Sequence, residues 1–552
     1  MKRKQPVRKS PRQSMKYLQP PHYLKYSRFS KVNLLIFILI FAGIGGYVLL
    51  HSFAATTQTT ANLWVDTTGG SCTRQATAGA YNDAGACSSM QAAMTAAQAG
   101  DRVIVKCGAY PSQTISTGTK STAVSFYAET YDQAATAADA YSATSCATVA
   151  SLSLNGVDKI HIYGIQATPA PDNSRTDAHL TYAYGGSLGI CASGCASTAT
   201  TDILIDGFHG RNFFGYVTNV VIDHSSFGGW DACYDTAGNH LASGNSGTED
   251  GFRFWSGTGG SGTPTNSVLR NSVIHDIIMG VNDSELGNVC TYGSTYGPHA
   301  DCMQNNGGAG ITIENNIFFN CPSSDIQWNP FGSATIGTQT IQNNYFGPIG
   351  GIGNGTVLGA QSGSSWDCSN IIVRNNLYNG VGINFENAGC AGGVGGQIYS
   401  NIFAGDCWSS QGSNYHDNIF ETPNTCGTNA TVCTPVFANT PPTSPNWLAT
   451  ATPNFHLASS DTCAKDHGYT TYPPTDFEGD TRPQGTLSDA GPDEVVSGNP
   501  PVGDLNSDGQ VNITDLSIML SNWGTTNSTC DLNTNGSVDI FDLSILLSHY
   551  GV

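Results

Sequence analysis

From about residue 62 to 495 the chain places short apolar runs among Gly, Asn, Ser and Thr, and amphipathic helical patterning is scarce. Only Ser88 to Ala99 predicts a helix, on its Ala content, with Gly100-Asp101 ending it. Elsewhere a six-residue core recurs. Ile313-Glu314-Asn315-Asn316-Ile317-Phe318 returns as Ile341-Gln342-Asn343-Asn344-Tyr345-Phe346 and as Val373-Arg374-Asn375-Asn376-Leu377-Tyr378. Weaker copies start at Ile222, Leu269, Ile398 and Tyr415. A constant core at irregular spacing predicts a fixed strand and turn with variable loops, the pattern of stacked coils in a parallel β-helix. The Asn residues at the turn are then expected to stack into hydrogen-bonded ladders. A β-propeller is the alternative, but its blades need a steadier period.

A second short strand precedes each core: Asp250-Gly251-Phe252-Arg253-Phe254, Asp301-Cys302-Met303-Gln304-Asn305 and Asp325-Ile326-Gln327-Trp328-Asn329. Stacked strands lie about 4.8 Å apart, so this alignment puts Asp250, Asp301 and Asp325 in one column of carboxylates. Arg253, Gln304 and Trp328 form a second column, facing solvent if Phe252 and Met303 point inward. Crowded carboxylates cannot all ionise, and a protonated Asp beside an ionised one suits glycosidic cleavage by acid and base or nucleophile. Alternatively the carboxylates hold calcium, and His299 or Arg253 acts on the proton beside a uronate, as a lyase requires. His299 lies two residues before Asp301, Glu249 one before Asp250, and His275-Asp276 on the adjoining strand. The plainer reading is that each Asp caps a turn through its own backbone. Trp255, Trp366 and Trp408 are candidate sugar platforms, although a Trp more often serves packing.

The opening of this region is Leu63-Trp64-Val65-Asp66, the helix at Ser88, then Gly100 to Val105 and Gly108-Ala109-Tyr110. Its end is Phe455-His456-Leu457, Asp476-Phe477-Glu478-Gly479-Asp480-Thr481-Arg482-Pro483 and Asp489 to Glu494. Both ends resemble right-handed parallel β-helix proteins of the pectate-lyase-like superfamily. The resemblance implies a mainly β solenoid over 62–495 with a short helix covering its first coil. Val496 to Val502 is a Pro/Gly linker.

The last fifty residues hold a duplication. Asp504, Asn506, Asp508, Asn512 and Asp515 occupy positions 1, 3, 5, 9 and 12 of one loop, with Gly509 at position 6. Asp531, Asn533, Asn535, Asp539 and Asp542 with Gly536 repeat the arrangement. Oxygen donors so spaced wrap a hard cation, and the Gly makes the sharp turn of an EF-hand loop. This pair resembles a type I dockerin, the calcium-dependent docking module of extracellular polysaccharide-degrading systems. The resemblance implies a small all-α EF-hand pair at 503–552, calcium as cofactor, carbonyls of Gln510 and Ser537 as further ligands, and a cohesin-type partner. Ile513-Thr514 and Ile540-Phe541 differ between copies and are expected to read that partner.

Charge and cysteine fix the compartment. Residues 1–31 carry ten of the 22 Lys and Arg, and the uncharged run 32–50 is long enough to cross a bilayer. The basic flank stays cytoplasmic, and the chain beyond the linker 51–61 is exported. The run is either a retained single-pass anchor or, with cleavage after Ala54, a removed signal. The exported part has 12 basic against 41 acidic residues, which argues against nucleic acid as a partner. Its 17 Cys read as disulfides, with Cys72–Cys87, Cys191–Cys195 and Cys426–Cys433 as local pairs and an odd thiol left over. Two functions remain: an extracellular enzyme, hydrolase or lyase, acting on polysaccharide, or a non-catalytic adhesin or glycan-binding surface protein.

Overall fold

The computed structural model describes residues 55–550 except 135–136, 169–185, 192–201, 216–217, 232–249, 255–263, 279–300, 306, 322–323, 329–336, 348–355, 361–368, 380–382, 385–395, 405–413, 422–426, 438–455, 496–502, 506–510, 528, 534–535 and 549. The chain divides into the units Met1–Ser52 and Phe53–Val552, and the described residues all belong to the second.

Strands recur in a fixed order, one from each of three parallel sheets, so that each turn of the chain lies on the previous one. Sheet 1 has twelve strands, beginning at Leu63–Val65 and ending at Tyr415–His416, among the described residues. Sheet 2 has nine, from Gln113–Ile115 to Ile383–Asn384, and sheet 3 nine, from His209–Gly210 to Thr431–Val432. One coil runs Asp301–Asn305 in sheet 2, Ile311–Glu314 in sheet 1 and Ile317–Phe319 in sheet 3. This is the parallel β-helix expected, and a propeller's separate blades are absent from these sheets.

The dipeptide joining sheets 1 and 3, Asn-Asn at 315–316, 343–344 and 375–376, splits into two duties. Its first residue turns the chain at positive φ: Asn271 47°, Asn315 56°, Asn343 53° and Asn375 52°. Asn reaches this left-handed region at lower cost than bulkier residues. Its second residue points inward. Asn316, Asn344, Asn376 and Asn401 each donate from Nδ2 to the next Oδ1, through Asn418, at 3.0, 3.0, 3.0 and 3.1 Å. Each of those Oδ1 atoms also accepts the preceding turn's backbone N–H at 2.9–3.0 Å. Ser225 and Ser272 continue the ladder in the earlier coils. The ladder thus pairs the second-position side chains with the backbone N–H groups of the buried turn, which a solenoid core requires.

Beside the ladder Phe318, Phe346, Tyr378, Phe403 and Phe420 stack with centroids 5.0, 5.0, 4.7 and 5.1 Å apart. Strand spacing enforces this distance, and the rings pack near-parallel. The largest apolar cluster among the described residues runs from Leu63 to Phe420. The first coil is covered by helix α1 (Met90–Ala96), shorter at both ends than Ser88 to Ala99, with Ser89 accepting from Ala92 N–H as its N-cap. A second short helix, α2, spans Ala137–Ser142.

Disulfides join Cys72–Cys87, Cys107–Cys146, Cys302–Cys321 and Cys433–Cys463. The first was expected. Cys433 pairs with Cys463 rather than Cys426, because the closing segment folds back to bring their Cα atoms within 5.8 Å. Cys530 is a buried free thiol. Cys191 is bonded, while Cys195 lies outside the described residues.

The C-terminal pair forms helices α3 (Ile513–Ser521) and α4 (Ile540–Ser548) around Val511, Met519, Cys530, Val538, Leu543 and Leu546. No helix among the described residues is long and apolar enough to cross a membrane; the run 32–50 falls outside them.

Candidate functional sites

Sheet 2 carries the expected column, shifted in part. Phe252 and Arg253 pair with Met303 and Gln304, which places Asp250 level with Asp301 on neighbouring coils. Both side chains are 0% exposed. Asp250 accepts a hydrogen bond from Arg253 Nε at 2.7 Å, an ion pair within the coil. Asp325 does not join them. The next coil is displaced by one residue from the sequence alignment: Asp301 pairs with Ser324, and Gln304 with Gln327. One residue of slip sends each side chain to the other face. Trp328 accordingly fills the core at 0% exposure, and its indole N–H donates to Gln339 Oε1 at 2.8 Å. Asp325 is buried beside the Cys302–Cys321 bridge, whose sulfurs are taken by each other and are not free ligands.

The outward column is therefore Phe214, Arg253, Gln304 and Gln327, with Gln304 Nε2 donating to Gln327 Oε1 at 3.2 Å and the Arg253 guanidinium 5.5 Å from the Phe214 ring centroid. It faces outward by alternation, yet Gln304 is only 3% exposed. The expectation that Trp328 and Gln304 stand open to solvent is corrected on both counts. His299, Glu249, Trp255, Trp366 and Trp408 lie outside the described residues.

A polar array that sequence reasoning did not assemble lies on sheet 3. Ser226 Oγ stands 3.0 Å from His275 Nε2, and His275 Nδ1 stands 2.9 Å from Asp276 Oδ2. Asn320 Nδ2 donates to Asp276 Oδ1 at 2.6 Å. The order is that of a Ser-His-Asp relay, but Ser226, His275 and Asp276 are at most 2% exposed and Tyr141 of α2 packs edge-on against the imidazole. Next to it, burial and then the His275 charge press the His209 pKa down to about 3. Among the described residues the array is a buried, internal polar network. The only sequence signal was the His275-Asp276 dipeptide; parallel register supplied the Ser.

The closing segment holds a third cluster. His456 Nδ1 is 2.9 Å from Asp493 Oδ1, its Nε2 is 3.9 Å from Glu478 Oε1, and Asp476 lies nearby. Burial opposes charge on this imidazole, but the Glu478 and Asp493 carboxylates outweigh it and lift the pKa to about 10.

In the C-terminal pair the two position-12 carboxylates, Asp515 and Asp542, are 0% exposed. Asp515 accepts Leu505 and Asn512 N–H at 2.7 and 2.8 Å; Asp542 accepts Asn533 and Asp539 N–H at 3.0 and 2.8 Å. Gly536 N–H donates to Asp531 Oδ2 at 2.7 Å, closing the second loop at its glycine. Asp504 and Asp531 are 7% and 8% exposed. Residues 503–552 include six Asp and no Lys, Arg or Glu, so the module is strongly acidic. Asn506, Asp508, Gln510 and Asn535 lie outside the described residues.

Residues 502–549 match the family model of the type I dockerin domain. This segment of the chain is a type I dockerin, and dockerins mark extracellular or cell-surface enzyme complexes. No curated protein matches the chain. Among solved structures, that of pectate lyase Pel9A matches with a TM-score of 0.36 at 14% identity, over 81% of this chain and 98% of that one.

Proposed function

We propose that the protein is an exported, calcium-loaded component of a scaffolded polysaccharide-processing complex, with the β-helix (62–495) as working domain and the dockerin (503–552) as its attachment. The dockerin match carries this reading. The oxygen side chains of the two loops fit calcium: Asp504, Asn506, Asp508, Asn512 and Asp515 with the Gln510 carbonyl, and Asp531, Asn533, Asn535, Asp539 and Asp542 with that of Ser537. Calcium supplies the positive charge that lets both loops close. Ile513, Ile540 and Phe541 stand 53%, 56% and 64% exposed at the start of the two helices, an apolar surface suited to a cohesin-type partner. The run 32–50 serves as anchor or signal.

In the catalytic form of this reading, Asp250, Asp301, Arg253 and His299 act at sheet 2 beside a glycan held along Gln304 and Gln327, by hydrolysis or elimination. The burial of Asp250 and Asp301 favours a second form, in which sheet 2 binds polysaccharide without cleaving it. One experiment separates them. The exported chain with calcium is incubated with uronate-containing and neutral polysaccharides, following reducing ends and the ultraviolet absorbance of unsaturated uronates. Reducing ends with that absorbance mean a lyase, reducing ends alone a hydrolase, and retained binding with neither signal the binding form. No cleavage and no binding across the panel would overturn the proposal.

A further inference from the structure

We propose that the closing segment contains a second kind of metal site, in which His456 and Glu478 bind a divalent transition ion such as zinc. The argument starts from the imidazole. Asp493 Oδ1 lies 2.9 Å from His456 Nδ1, and Asp493 Oδ2 accepts Leu457 N–H at 2.6 Å, so the carboxylate is fixed by the backbone. A carboxylate accepting Nδ1–H selects the tautomer whose lone pair is on Nε2 and aims it, the arrangement that orients metal-binding histidines.

Nε2 faces Glu478. The separation from Oε1 is 3.9 Å, too long for a hydrogen bond. It is short enough for one ion bonded to both atoms, since zinc–nitrogen and zinc–oxygen bonds are each about 2.0–2.2 Å. The other oxygen of Glu478, Oε2, is buried and makes no hydrogen bond. With one oxygen beyond hydrogen-bond reach of the imidazole and the other shut away from water, this carboxylate lacks a hydrogen-bonding partner among the described residues. Asp476 is not that partner: its Oδ1 accepts N–H from Glu478, Gly479 and Asp480, and its Oδ2 that of Glu494. Arg482 is not either: its Nη1 and Nη2 donate to the Asp489 and Gly491 carbonyls and to Glu494. His456, Glu478 and Asp493 offer ligand atoms all within 4.8 Å of one another.

The donor set decides the ion. Imidazole with carboxylate suits zinc, cobalt or manganese, whereas the dockerin loops present only oxygen and suit calcium. Bound there, the ion ties residue 456 to the turn at 476–480. The same segment packs on the last coils, where Gly491 N–H donates to the Ser400 carbonyl and Asn375 donates to the Asp489 carbonyl. The site thus closes the open end of the solenoid.

The test uses the full chain, stripped with chelator, reloaded with calcium, then titrated with zinc or cobalt and desalted before elemental analysis. Wild type is expected to keep one equivalent of zinc that calcium does not displace, and to give a cobalt visible spectrum with nitrogen and oxygen ligation. Glu478→Gln and His456→Gln lose that equivalent, Asp493→Asn weakens it about 10- to 100-fold, and Asp515→Asn leaves it unchanged. The proposal is overturned if wild type retains no zinc at micromolar concentration, a result independent of how any variant folds. It is equally overturned if Glu478→Gln and His456→Gln, folded by circular dichroism, bind as wild type does. In either case His456 is an imidazolium held by carboxylates.

Discussion

Replacing one residue of an Asn-Asn pair should have an outcome opposite to replacing the other. Asn316 donates from Nδ2 to the Leu269 carbonyl and to Asn344 Oδ1, and its own Oδ1 accepts Ser272 N–H, all at 3.0 Å. Asn316→Ala removes three hydrogen bonds, each worth about 1 kcal/mol net, and leaves the buried Ser272 N–H and Leu269 carbonyl without those partners. The expected loss is about 3–5 kcal/mol. Asn315 contributes its backbone turn at φ 56°. Asn315→Gly keeps that conformation, and the change should stay within about 1 kcal/mol of zero, whereas Asn315→Val strains the turn. Denaturant unfolding of the calcium-saturated chain, followed by far-ultraviolet circular dichroism, measures all three. Equal losses for Asn316→Ala and Asn315→Gly would refute the division of labour, as would a loss below about 1 kcal/mol for Asn316→Ala.

Removing calcium with a chelator should unfold the dockerin and leave the solenoid intact, seen as loss of helical signal with the β signal retained; Asp515→Ala should abolish one binding equivalent in calorimetry. Arg253→Ala should cost about 3–5 kcal/mol by stranding the Asp250 carboxylate in a buried position, and adding Asp250→Asn to that variant should recover part of it in the same unfolding assay. Stability of the closing segment should fall as pH rises. Burial, and then the charge of Glu494, lift the Asp489 pKa from 3.8 to about 7. The folded state thus holds this proton more tightly than the unfolded one, a contribution fully present below pH 3.8 and lost as pH rises through about 7. Between about pH 5 and 8 the loss is on the order of 3 kcal/mol, and a thermal midpoint that rises over this window would contradict it.

The repeat, its turn and the terminal module were legible in the linear chain. Asn-Asn between apolar runs is a local signal, since one residue must reach positive φ and the next must satisfy a buried backbone, and both needs recur in every coil. The dockerin was legible for the same reason: its oxygen side chains fall at fixed spacings within twelve residues, so the pattern is visible in the linear chain. Which residues of sheet 2 share a column, by contrast, emerged from the packing of one coil on the next. Register between coils depends on how many residues the intervening loop uses, and a single residue of slip carried Trp328 into the core and parted Asp325 from Asp301. Packing also set the Ser226–His275 contact, the Cys433–Cys463 bridge and the meeting of His456 with Glu478. Those partners are separated by tens of residues in sequence and are brought together by stacking and by the fold-back of the closing segment, for which no local pattern exists.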